Sequence, residues 1–104
     1  MENNNNNEHK INIELPEQIA EGVYSNLAVI THSPSEFVCD FIQIMPGAPK
    51  AKVRSRVIMT PENAKRFLNA LMDNIQKYEE NLGRINVGKD ELPPINFGFP
   101  PTEA

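Results

Sequence analysis

Apolar residues recur at helical spacing through one stretch of the chain: Ala64, Phe67, Leu68, Leu71, Met72, Ile75, Tyr78 and Leu82. The opposite face carries Asn63, Arg66, Asn69, Asp73, Asn74, Lys77 and Glu80, which stay in water. Both ends of the helix are marked. Thr60 is a good N-cap, and Pro61 suits the first helical position, where a missing N–H costs nothing. Glu62 places negative charge in the first turn, and Gly83 follows the last stripe residue where a C-cap belongs. The spacing predicts a helix over 61–82. No second helix of similar quality exists to cover its stripe, so the partner surface has to come from upstream.

Upstream the period changes from 3.6 to 2. Ile11, Ile13 and Leu15 alternate with Lys10, Asn12 and Glu14, which predicts a strand over 10–15 that Pro16 ends. Residues 17–22 fit neither period. A second strand is expected over 23–32, rich in β-branched residues and partly apolar on both faces. Ser33-Pro34-Ser35-Glu36 has turn chemistry and leads to a third strand over 36–45. The turn Pro46-Gly47-Ala48-Pro49 leads to a fourth, over 51–59.

Pairing chemistry suggests the register. A two-residue loop at Pro34-Ser35 sets Ile30 opposite Cys39, Ala28 opposite Phe41 and Leu27 opposite Ile42. In the next hairpin, Phe37, Cys39 and Phe41 must share a face with Val53 and Val57. A five-residue loop over 46–50 then sets Asp40 opposite Arg56 and Ile42 opposite Arg54; a three-residue loop would set Asp40 opposite Arg54 instead. The expected fold is α+β: a four-stranded antiparallel sheet followed by one C-terminal helix packed on the face of Phe37, Cys39, Phe41, Val53 and Val57. The other face presents Val38, Asp40, Ile42, Ile44, Arg54, Arg56 and Ile58. That much apolar surface on one open face is unusual for a monomer, so these residues are the candidate interface of a homodimer.

A chain of 104 residues forms one domain at most. The domain is expected over 9–83. The Asn-rich segment 1–8 has nothing to bury and reads as disordered, and 84–104 reads as an extended Pro/Gly/Phe tail. Within the tail, Ile95, Phe97 and Phe99 form a candidate docking segment for a protein partner. A folded part this small has little core of its own, and oligomerisation is one common remedy. Net charge is −4, which disfavours general binding of polyanions. A single cysteine excludes an internal disulfide framework, and no hydrophobic leader or spanning run is present, so a cytoplasmic protein off the membrane is expected.

The chemistry-bearing residues do not converge. Cys39 and His32 share a face but stand diagonally, and Asp40 points to the other side, so no thiol–imidazole–carboxylate relay forms. His9, His32 and Cys39 lack metal-ligand spacing, and no glycine pattern cradles a phosphate. No catalytic residue, metal or cofactor is assigned, and no enzyme is expected. Lys50, Lys52, Arg54 and Arg56 form the basic stretch that nucleic acid would need, yet no aromatics interleave on that face and Asp40 neutralises part of it.

Five segments carry a resemblance to a known family: Glu21-Gly22-Val23-Tyr24-Ser25-Asn26, the run from Thr31 to Phe37, Met45-Pro46-Gly47, the run from Val53 to Ser55, and the run from Met59 to Arg66. Over about residues 10–83 the chain resembles the short bacterial proteins of domain of unknown function family 3467. The resemblance implies no activity, substrate or catalytic residue. The expected function is a protein-interaction module that acts as a homodimer. The alternatives are a nucleic-acid-associated protein using the basic strand, or a peptide-binding chaperone, since a four-strand-plus-helix layout is loosely similar to the export chaperone SecB.

Overall fold

The computed structural model describes residues 10–47 and 50–88. The expectations for 1–8, for Ala48 and Pro49 of the second turn, and for Ile95, Phe97 and Phe99 lie outside the described residues. A four-residue helical turn, α1 (Glu17–Ala20), precedes three strands, β1 (Leu27–His32), β2 (Phe37–Gln43) and β3 (Lys52–Met59). The long helix α2 (Pro61–Leu82) follows. The class is α+β, with a three-stranded antiparallel sheet in the order β1-β2-β3.

The fourth expected strand, over 10–15, is a correction. The alternation is there, but none of the described strands pairs with it, and Ile11, Ile13 and Leu15 are largely exposed. A strand exists only where a neighbour takes up its backbone hydrogen bonds, so alternation alone does not make one. The second expected strand also begins later, at Leu27. Here side chains take over from the ladder. The Asn26 backbone N–H donates to the Ile42 carbonyl at 3.0 Å. Its side-chain amide donates to the Ile44 carbonyl at 3.0 Å and accepts from the Ile44 N–H at 2.8 Å. Ser25 Oγ shares its one proton between the carbonyls of Leu27 at 2.9 Å and Ile42 at 3.1 Å. The Ser25-Asn26 pair thus continues the β1–β2 pairing past the end of the strand.

The first hairpin has the expected register: Leu27 faces Ile42, Ala28 faces Phe41 and Ile30 faces Cys39. The Ser33 N–H donates to the Glu36 carbonyl at 2.9 Å and closes the turn, and the rings of His32 and Phe37 stack at its mouth. The second hairpin sets Asp40 opposite Arg56 as expected, but Ile42 faces Val53 rather than Arg54. A β-bulge between Phe41 and Ile42 inserts one extra residue on β3, and Arg54 is left without a cross-strand position.

The larger correction concerns α2. Its length and ends are as expected: Thr60 Oγ1 accepts from the Asn63 N–H at 3.2 Å, Pro61 leads, and the Gly83 N–H donates to the Glu79 carbonyl. Yet it does not pack on the face of Phe37, Cys39, Phe41, Val53 and Val57. No residue of α2 is buried, and extensive contacts between elements occur only along the sheet, β1 with β2 and β2 with β3. The reason lies in the connection. β3 ends at Met59 and α2 begins at Pro61, leaving only Thr60 between them, itself extended at φ −70° and ψ 158°. Met59 and Pro61 are two Cα steps apart, about 7 Å at full extension. A helix with its side chains is about 10–12 Å across, so folding back over the sheet needs more chain than that.

Candidate interaction surface

Two apolar surfaces face solvent. The first is the stripe of α2, where Phe67, Leu68, Leu71, Met72, Ile75 and Tyr78 are 39–58% exposed. They are apolar because the sequence keeps helical period there, and exposed because none of the described elements packs over them. The second is one face of the sheet. Its register brings together Ile30 on β1, Phe37, Cys39 and Phe41 on β2, and Val57 and Met59 on β3. Cys39 is buried between its strand neighbours, Phe37, Phe41 and Met59 are half-buried, and Ile30 and Val57 stand open. None of these six residues carries a charge.

The opposite sheet face holds the ion pair. Asp40 is buried on central strand β2, and Arg56 of β3 grips it with two bonds: Nε to Oδ1 at 2.6 Å and Nη2 to Oδ2 at 2.9 Å. Two parallel charge-assisted bonds are the strongest pairing available to a carboxylate. Those hydrogen bonds, and then the carboxylate's charge, raise the Arg56 guanidinium above its ordinary pKa, so the arginine stays charged at any working pH. Arg54 instead donates to Gln43 Oε1 at 2.6 Å. Gln43 follows Ile42 on the strand and so lies on the other face. The bulge has therefore moved Arg54 away from the face on which Asp40 and Arg56 sit.

The candidate interface read from the sequence is thus rearranged. Asp40 and Arg56 are together as expected. Ile42 is buried at 5% exposure and belongs to the core, Val38 and Ile44 are half-buried, and Ile58 is open at 56%. An open patch made of all four aliphatic residues does not form in the described chain. What sequence reasoning missed was the exposure of the α2 stripe. The signal was the single residue between the last strand position and Pro61.

Among the described residues, Cys39 has no hydrogen-bonded base for nucleophilic chemistry. Burial first, and the neighbouring Asp40 charge second, raise its thiol above the ordinary 9.0. A thiol pushed in that direction is a poor nucleophile at neutral pH. His32 is occupied by its stack on Phe37. Among the described residues, no group of three or more His, Cys, Asp or Glu side chains is placed to hold a metal ion. No helix of the described chain is long and apolar enough to cross a membrane.

A small α+β unit with an antiparallel sheet and an uncovered amphipathic helix is the class these features define. The chain belongs to the family described as a protein of unknown function, DUF3467, whose match covers residues 1–87. No curated protein and no solved structure matches it.

Proposed function

We propose that this protein is a non-enzymatic interaction module that works as a homodimer, assembled through its uncovered helix and sheet. The observation that carries this reading is the stripe of α2. A helix with apolar residues at this spacing gains its stability in water mainly from packing that stripe. The largest apolar patch that monomers tolerate is about 300–600 Å². Side chains of about 150–250 Å² each, exposed to the degree seen from Phe67 to Leu82, leave about 500–900 Å². A second copy is the partner always present at matching concentration, and a twofold arrangement closes the contact without leaving further apolar surface free.

Light scattering after size exclusion tests the reading. The expected mass is twice the 11.7 kDa of the chain at tens of micromolar. A stable monomer at that concentration refutes it. The stripe would then be open to a different protein, and the peptide-binding reading would replace the homodimer. The nucleic-acid reading has less support, because Arg56 is gripped by Asp40 and Arg54 is bonded to Gln43. Salt-dependent retention on heparin would revive it.

A further inference from the structure

Resting on the homodimer reading, we propose that the two copies exchange their helices: α2 of each copy lies across the apolar sheet face of the other, the face of Phe37, Cys39 and Phe41. The occupant of each face is the stripe of a second copy's α2. Three observations carry this. First, the single-residue connection at Thr60 denies α2 its own sheet and places no such limit on another copy's. Second, the two sheet faces differ. One holds the Asp40–Arg56 pair, and covering it with an apolar helix would strip water from a charge that is half exposed. The other is built on Ile30, Phe37, Cys39, Phe41, Val57 and Met59, and its charges, Lys52 and Arg54, stand together at the one end marked by Gln43, clear of those six residues.

Third, the areas agree. The stripe together with the open parts of Ile30 and Val57 comes to about 700–1,100 Å² for each copy, a range that includes the roughly 800 Å² a standard interface takes from each partner. Pairing the two stripes with each other would cover the helices alone and leave Ile30 and Val57 in water; exchange covers both surfaces in one contact. The lengths also match. A helix of 22 residues is about 33 Å long, and a strand of 8 residues about 27 Å, so one helix can run the length of the sheet. In this arrangement the core is incomplete in a single copy: the partner's Leu71 and Ile75 are the second layer over Cys39.

Cysteine cross-linking decides it. The chain has one native cysteine, so Cys39→Ala gives a blank background. Two variants are made in it, Val57→Cys and Leu71→Cys, with tags of different size. They are unfolded, mixed, refolded and treated with a short bis-maleimide. Exchange predicts a cross-linked heterodimer several-fold above the level of either variant treated alone. Ile30→Cys with Ile75→Cys is a second pair, which guards against a variant that fails to refold and against a shifted register.

Two results would overturn the exchange: absence of the heterodimer for both pairs, or Leu71→Cys cross-linking to itself as strongly as to Val57→Cys. A cross-link closing within one chain of the Val57→Cys, Leu71→Cys double variant would also overturn it, by placing α2 on its own sheet. In each case light scattering of the wild type separates the two readings. A dimer without the heterodimeric cross-link sinks the exchange alone, and a monomer sinks both.

Discussion

Asp40 and Cys39 are consecutive on β2 and meet opposite environments, because successive strand residues point to opposite faces. Asp40 is buried with its charge and is tolerated there because Arg56 answers it with two bonds. Removing the arginine would leave a buried carboxylate without that grip, whereas Arg54 bonds an amide at the surface. Arg56→Met is therefore expected to lower the urea midpoint well below that of Arg54→Met. Equal midpoints would mean that the pair contributes nothing to the fold. Cys39 supplies a pH dependence with a definite sign. Its folded pKa is raised above 9.0, so its contribution to stability is whole below that pH and is lost as pH climbs through the folded value. As pH rises above 9.0 the wild type should lose stability more steeply than Cys39→Ala. Parallel curves in urea melts across that range would show that the thiol does not titrate differently on folding.

At the level of elements, local and non-local signals parted company. α2 has the bounds that its cap, its proline and its glycine prescribe, because those signals act within one or two turns. Thr60→Ala removes the bond to the Asn63 N–H and is expected to cost about 1 kcal/mol, with Thr60→Ser restoring most of it. A null effect in thermal melts would mean that the cap is replaced by water. The first hairpin was equally legible, since a short loop leaves few registers and only one matched both faces. The second was legible at Asp40–Arg56 and not beyond. The β-bulge adds a residue to β3 without changing the polar–apolar alternation that the sequence displays, so Arg54 looked paired with Ile42 and is not. Segment 10–15 alternates as cleanly as any strand, yet strand formation depends on an edge being available, and alternation does not encode one.

For the whole molecule, the decisive quantity is concentration. If the stripe is covered only in the dimer, unfolding is coupled to dissociation, and the melting midpoint rises with protein concentration. Leu71→Ala shows the contrast. In a single chain Leu71 is 45% exposed, and its truncation would change little. In the dimer it sits mid-stripe, where full burial makes Leu→Ala cost about 2–5 kcal/mol. The variant is expected to weaken self-association strongly, and its melts to converge on those of the wild type as both are diluted. A loss of stability independent of concentration would place Leu71 in a core within one chain.

The sequence by itself determined what local chemistry determines: the period of each element, the caps of α2, the turn at Pro34-Ser35, the first hairpin's register, and the pairing of the lone acid on β2 with an arginine across the strand. It also contained the single residue, Thr60, that separates β3 from α2. Tertiary structure decided the rest. It left segment 10–15 without a partner among the described strands, placed the bulge that moved Arg54, put Ile42 in the core, and held α2 off its own sheet. The physical reason is one of reach. Periodicity and capping are settled by neighbours within a few residues, while docking a helix depends on whether the chain between two elements is long enough to bring their apolar faces together, and here one residue is not.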